Sequence, residues 1–398
     1  MNKFQIIFIL LGVIVVGSCN NEEKITEENI RFSVDNNYIL KNNIPYLIKG
    51  VVYVPGYPGY LPWEIEKSTL LPAELKYNIF TDIANIKAMG ANTIRFWGAP
   101  KYCYEALKKV GDLYFIQTIW IKGDEPDFQN TSFKEITKAY IRQVVDRIYA
   151  VFDTNSPPLI AYLIGNELSE ASVLSTDTKH PEINKYTGNY IKTDSNSTAT
   201  EAFIAEMADY TKSYEFETYN HVSLVSYAND IRTADIINTP FLDFISQNAY
   251  SYTVPYYRPN TSLGSNSGTI FQGWIEELKS KHPNKPLLIT ETGLSVSPNA
   301  NHIGSPNFGY GGNTELEQTI GLLQNINDIN TSALPTAGVC IHEYLDAWWK
   351  FELEDSYSQD PNDIEEWFGI VKLINTNGSY TIEFRNSYNA IKNTWKLK

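Results

Sequence analysis

Two glutamates stand at the ends of apolar runs, Glu167 in "LIGNELSE" (163–170) and Glu291 in "PLLITETG" (286–293). A carboxylate is costly to bury without partners, so each needs a surrounding that accounts for it. Two carboxyl groups facing one another can cleave a glycosidic bond. One, protonated, gives its proton to the leaving oxygen; the other, ionised, acts at the anomeric carbon. That division of labour requires surroundings that split the two pKa values. Arg95 supplies a charge that would keep Glu291 ionised, and Tyr250 a phenol that can donate to the same carboxylate. Asn166 is a candidate to hold a sugar 2-hydroxyl, and Asn248 is a further substrate-binding candidate. Trp97, Trp120, Trp348 and Trp349 offer ring faces for a pyranose, one of the last two facing the sugar and the other packing. His342 and Glu343 complete the polar set, His342 reading as a core histidine.

These residues mean something together only if the elements bring them to one place. Continuous apolar runs recur at 46–55, 91–98, 113–120, 158–167, 221–228, 241–250, 286–293 and 338–349. Runs of this kind are what parallel strands buried on both faces look like. Between most of them lie helical patterns. "AELKYNIFTDIANIKAMG" (73–90) spaces Leu75, Ile79, Ile83, Ile86 and Met89 on one face and closes on Gly90, and 133–152, 201–217, 269–281 and 314–328 are further helices. A polar stretch of about thirty residues after Glu167 reads as a lid or insertion. Eight strand–helix units make an α/β fold, a (β/α)₈ TIM barrel over 45–398, with a doubly wound open sheet as the alternative. No phosphate-binding glycine turn follows the first strand, which disfavours the open sheet. In a barrel the chemistry sits at the C-terminal strand ends. Arg95 and Trp97 end the second strand, Trp120 the third, Asn166 and Glu167 the fourth, Asn248 and Tyr250 the sixth, Glu291 the seventh, and His342 to Trp349 the eighth. All converge on one mouth.

The 398 residues carry a formal charge of −14, which argues against nucleic acid as a partner, since phosphate binding needs a basic footprint. Eight Trp and 27 Tyr suit sugar recognition, where an apolar ring covers a pyranose and a polar tip hydrogen-bonds. Cys103 and Cys340, each in or beside a predicted strand, read as buried free thiols rather than a disulfide framework. No metal or organic cofactor is expected. The start, "MNKFQIIFILLGVIVVGSC", has the layout of a secretory signal peptide over 1–19. Its "VGSC" resembles a bacterial lipobox, with Cys19 as the lipidated residue. The apolar run is short for a membrane span, the competing reading. A polar tether and lead-in segment follows over 20–44. Its "NNEEK" is similar to the surface-export tags of some outer-membrane lipoproteins. The implied location is the bacterial cell envelope, with the membrane as a partner through the lipid.

"IRFWG", "GNE", "ITETG" and "DAWWK…EEWFGI", in that order, resemble the clan A glycoside hydrolases. The opening "YLIKGVVYVP…IKAMGANTIRFWG" and the tail "EEWFGIVKL…SYNAIKNTW" are similar to the family 2 barrel and to the related β-1,3-glucanosyltransferases of family 72. The resemblance covers roughly 45–398. It implies a retaining enzyme with Glu167 as acid/base and Glu291 as nucleophile, acting on an oligosaccharide or polysaccharide that is β-glucan-like. Two departures accompany it. The chain has no room for the β-sandwich domains that usually precede the family 2 barrel, and Ala347 stands where an acidic residue would be expected. The same residues would serve a transglycosylase. A glycan-binding lipoprotein without catalysis is the reading from another class.

Overall fold

The computed structural model describes residues 31–152, 157–261, 265–350, 357–376 and 379–396. The signal peptide, Cys19 and the tether up to residue 30 lie outside the described residues.

The chain first makes a small antiparallel sheet, β1 (Phe32–Asp35), β2 (Tyr38–Lys41) and β3 (Ile44–Pro45), within the stretch read as a lead-in segment. Eight strands then follow: β4 (Ile48–Tyr53), β5 (Thr93–Phe96), β6 (Tyr114–Ile119), β7 (Leu159–Asn166), β8 (Leu224–Asn229), β9 (Ile245–Asn248), β10 (Leu287–Thr292) and β11 (Gly338–Ile341). They close into a barrel in chain order, β11 pairing with β4, and every pair is parallel. The fold is the (β/α)₈ TIM barrel. A hairpin of β12 (Val371–Thr376) and β13 (Ser379–Phe384) lies outside the barrel sheet.

The helices are α1 (Pro62–Lys67), α2 (Ala73–Ala88), α3 (Lys101–Val110), α4 (Thr131–Tyr149), α5 (Glu170–Lys179), α6 (Ala199–Tyr219), α7 (Val254–Tyr257), α8 (Ile270–Lys281), α9 (Glu315–Asn330) and α10 (Asn386–Lys396). Their ends have local causes. Thr198 and Glu201 form a reciprocal capping box on α6, and Thr314 and Glu317 do so on α9, each satisfying two otherwise orphaned backbone donors. Met89 caps the end of α2, and Gly90 just beyond it has positive φ, +92°.

Two apolar clusters follow from this layout. The larger lies between strands and helices and contains Ile79, Ile83, Ile94, Phe96, Ile141, Val145 and Phe203. The smaller joins Ile48, Val52, Ile116, Leu163, Leu224 and Leu288 of the strands to Ile39 of β2, with Phe32, Val34 and Tyr46 packed against it. The antiparallel sheet is thus tied to the strand side chains of the barrel interior.

Three expectations change. The polar stretch after Glu167 is not all loop, because Ser169 caps α5 through its hydroxyl, and Val173 and Thr176 anchor that helix by burial. The eighth run is strand only to Ile341, and residues 342–349 continue as irregular backbone. Cys103 lies in helix α3 rather than beside a strand; both it and Cys340 are free and buried.

Candidate active site

Both glutamates emerge where a strand breaks register. The pairing of β7 with β8 shifts between Leu163 and Asn166, and that of β10 with β9 shifts between Ile289 and Glu291. Such bulges re-aim side chains at sheet ends. Strict alternation would send adjacent residues to opposite faces. Here Asn166 and Glu167 both reach the same hydrogen-bond network, as do Thr290 and Glu291. On β7 the distortion needs positive φ at Gly165 (+88°) and at Glu167 (+47°). A non-glycine residue there carries backbone strain, which Leu168 helps to hold by donating its amide to the buried Tyr227 hydroxyl at 3.0 Å. Gly293 lets β10 pass close to its neighbour, since a Cβ there would collide with the His342 carbonyl.

Glu291 is buried and fully ligated. Arg95 Nη1 donates to its Oε1 at 2.7 Å, Trp97 Nε1 to the same oxygen at 3.1 Å, and Tyr250 Oη to Oε2 at 2.7 Å. Arg95 is itself fully buried and spends its other donors on the Thr290 carbonyl (2.9 Å), Asn248 Oδ1 (3.1 Å), Asn166 Oδ1 (2.6 Å) and Thr118 Oγ1 (3.4 Å). Charge and hydrogen bonds of this kind favour an ionised carboxylate. Burial, then the nearby Glu291 charge, raises the Tyr250 phenol well above its ordinary range, so it stays a donor.

Glu167 sits differently. Asn248 Nδ2 donates to Oε1 at 2.8 Å, and Arg232 Nη2 approaches Oε2 at 3.1 Å. Arg232 is half exposed and is also paired with the buried Asp230. Burial, followed by the charges of Glu291 and Asp230, pushes the Glu167 carboxyl up to about 8, outweighing the opposite pull of Asn248 and Arg232. A group held protonated at neutral pH can give a proton. Asn248 links the two carboxyls directly. Its Nδ2 donates to Glu167 while its Oδ1 accepts from the Arg95 nitrogen that holds Glu291.

Glu167, Glu291, Trp97, Asn166, Asn248, Tyr250, Asp230 and Arg232 line a cavity of about 430 Å³ at the C-terminal strand ends, together with Trp120, Tyr252, Tyr257, Tyr310, His342 and Glu365, and Arg95 lies beneath them. Trp97 stacks on His342 (centroids 5.5 Å) and lies 5.3 Å from Trp120, which is 44% exposed at the rim. Burial, then the Lys350 and Arg95 charges, keeps His342 neutral. Behind the cavity Lys350 Nζ reaches Glu343 at 3.3 Å and Glu365 at 3.1 Å. Tyr310 donates to the other oxygen of Glu365. Burial lifts Glu343 to about 7 against the pull of Lys350. Glu365 is lowered despite burial, by the same ammonium and the Tyr310 hydroxyl.

The structure therefore brings together Glu167, Glu291, Arg95, Trp97, Trp120, Asn166, Asn248 and Tyr250. It does not bring Trp348 there. That ring is 5% exposed and packed in the core, so its place among the sugar-facing residues is withdrawn. Trp349 is not among the residues lining the cavity. It packs edge-on against Trp97 and Trp63 and close over Gly56. Sequence reasoning missed Asp230, Arg232, Tyr252, Tyr310, Lys350 and Glu365. Asp230 and Arg232 directly follow β8, and inspection of that strand end, as of the others, would have found them. Among the described residues, no group of three or more His, Cys, Asp or Glu side chains is arranged to hold a metal ion.

No family model matches the chain, and no curated protein matches it. Solved structures do. The chain is similar to the GH2 β-galacturonidase of Eisenbergiella tayi bound to galacturonate, at 17% identity and a TM-score of 0.60 over 93% of this chain and 54% of that one. It is also similar to the β-glucuronidase of Ruminococcus gnavus, at 15% identity and 0.61 over 93% and 53%. A third is the β-D-glucuronidase of Dictyoglomus thermophilum, at 14% identity and 0.60 over 93% and 54%. The likeness is one of fold, and the chain spans about half the length of these neighbours.

Proposed function

We propose that the protein is a retaining β-glycoside hydrolase in which Glu291 is the nucleophile and Glu167 the acid and base. The observation that carries this reading is the bridge through Asn248 and Arg95, which ties together two carboxyls of opposite character. One is buried and saturated with donors, a guanidinium among them; the other is held protonated and faces the cavity. In the first step a Glu291 oxygen bonds to the anomeric carbon, the bond to the leaving oxygen breaks, and Glu167 gives that oxygen its proton. In the second, water gives a proton to Glu167 as its oxygen bonds to the anomeric carbon and the bond to Glu291 breaks. The short linkage favours the close carboxyl spacing of retention, about 5–5.5 Å, over the wider gap that admits water during inversion. Asn166 has its amide oxygen fixed by Arg95 and Asn248, which leaves Nδ2 to donate to the 2-hydroxyl of the sugar.

The fold neighbours support the class of reaction, and their names make uronides one substrate class to weigh. The finer reading, a β-glucan-like polymer, is supported by the rim aromatics Trp120 and Tyr257, which offer ring faces beyond the sugar being cleaved. A 2-deoxy-2-fluoro aryl β-glycoside tests the mechanism, because it slows release of the covalent intermediate. Mass spectrometry of the digested protein is expected to find the sugar on Glu291, and labelling of any other residue would overturn the assignment. Product sizes from a laminari- or cello-oligosaccharide separate hydrolysis from transfer, since only transfer makes longer chains.

We propose further that Cys19 carries a lipid that holds the protein at the bacterial cell envelope. Among the described residues, no helix is long and apolar enough to cross a membrane. Acyl chains would supply the anchoring free energy, so Cys19→Ser is expected to move the protein from the membrane to the soluble fraction. Unchanged fractionation would count against lipidation.

A further inference from the structure

The cavity is lined by Glu167, Asp230, Glu291 and Glu365 against, among the described residues, a single lining cation, Arg232. That arginine is already shared between Asp230 and Glu167. Beneath it, Arg95 is committed to Glu291, Asn166, Asn248 and the Thr290 carbonyl. The third cation, Lys350, is held between Glu343 and Glu365, and its ammonium also lies over the Trp97 ring at 5.3 Å and the Trp349 ring at 5.5 Å. Each of these three cations near the mouth, among the described residues, is therefore balanced by at least one carboxylate.

We infer that the Glu343–Lys350–Glu365 cluster, with Arg232 locked on Asp230 and Glu167, makes this a site for neutral sugars and sets it against uronic acids. The inference rests on the glycosidase reading and adds to it the charge discrimination between neutral sugars and uronic acids. A uronate would add a further carboxylate to a partly buried site where Asp230, Glu291 and Glu365 already face the cations present. Unpaired charge in such a place is expensive, and like charges at close range add to the cost. A neutral sugar presents hydroxyls instead. Glu365 is at the cavity surface with side-chain exposure of 43%, and its oxygens can accept from them. Lys350 acts through Glu365, fixing its position and charge.

Two measurements test this. The first is binding, which does not depend on turnover: isofagomine against its C6-carboxylate, by calorimetry on the wild-type protein at pH 7. The neutral compound is expected to bind at least about tenfold tighter, and equal or tighter binding of the carboxylate would overturn the inference. The second is hydrolysis of aryl β-glucoside and β-galactoside against the matching glucuronide and galacturonide. A kcat/KM for either uronide at or above that of its neutral partner overturns the inference while sustaining the glycosidase reading. If no aryl glycoside is turned over but isofagomine still binds preferentially, the inference stands and the reaction falls.

Glu365→Gln adds a positional readout. It keeps the shape, removes one of the two charges that hold Lys350, and is expected to lower the neutral-to-uronate ratio in both binding and kcat/KM by about tenfold. A thermal unfolding midpoint establishes that the variant is folded. An unchanged ratio in the folded variant would remove Glu365 from the specificity determinant.

Discussion

The two sides of the barrel mouth treat the same side chain in opposite ways. On the β10 side, Glu291 is buried and receives three donors, one from a fully buried arginine. On the β7 side, Glu167 stands on a strained bulge, receives one amide, and shares a half-exposed arginine with Asp230. Only in the first case does the protein supply donors enough to hold a charge. The acid/base assignment thus comes from the number, charge and burial of neighbours, because the two side chains are identical.

The largest effect should come from removing each carboxyl in turn. Glu291→Ala is expected to lose activity by on the order of 10⁴-fold or more on every substrate, because no nucleophile remains. Glu167→Ala should lose comparable activity only on substrates with poor leaving groups. An activated aryl glycoside needs little protonation, so it should still load the enzyme and then stall for want of a base. Azide should rescue turnover there and give a β-azide after two displacements. In Glu291→Ala azide can only occupy the vacated space and give an α-azide. The reverse pattern of azide products would exchange the two roles.

Next in size is the charge under Glu291. Arg95→Met leaves a buried carboxylate without its cation, a change that typically costs about 3–5 kcal/mol. It also strips donors from Asn166, Asn248 and the Thr290 carbonyl. Denaturant unfolding should show the loss. A decrease below about 1 kcal/mol would mean that Trp97 and Tyr250 suffice, and that the contrast between the two sides does not rest on Arg95.

How much of this could be read from the sequence differs by link. The barrel was legible because strands buried on both faces must be continuous apolar runs, and "LIAYLI" or "LLIT" cannot be mistaken for surface. The site residues on strand ends were legible through the barrel-face rule. The bulges at Asn166 and Glu291 were not, because a register shift depends on what the neighbouring strand does. Trp97 as a ligand of Glu291, and Trp348 as core, depend on which way a side chain turns at irregular backbone. Glu365 lies far beyond the last barrel strand, so no periodicity pointed to it. The small sheet over Phe32–Pro45 was hidden by polar residues at its turns, such as Asn36, Asn42 and Asn43, all of which have positive φ.

A milder cut into the Glu291 side is Tyr250→Phe, which keeps the ring and deletes one hydrogen bond to a charged group. Such bonds are worth about 1.5–3 kcal/mol, so kcat/KM should fall about 10- to 150-fold with little loss of folding stability. A change confined to KM would instead place the hydroxyl on the substrate rather than on Glu291.

The smallest effect probes the Glu167 side through its proton. Arg232 favours the ionised form of Glu167, and so opposes the upward push of burial, Glu291 and Asp230. Arg232→Met removes that opposition and also frees the negative charge of Asp230, and both changes raise the Glu167 pKa. The acid must be protonated to act, so the alkaline limb of kcat/KM should move to higher pH. The arginine is half exposed, and pairs of that kind are worth about 0.2–1 kcal/mol. At about 1.36 kcal/mol per pH unit the limb should move by about 0.1–0.7 unit. Glu291→Gln gives the opposite sign, because it removes a negative neighbour. With that variant inactive, the Glu167 carboxyl must be followed by carbon NMR of labelled glutamate, and its titration should fall toward the ordinary range. If both variants moved the Glu167 titration in the same direction, the charges of Arg232 and Glu291 could not be what sets it, and burial on the β7 bulge would be left as the cause.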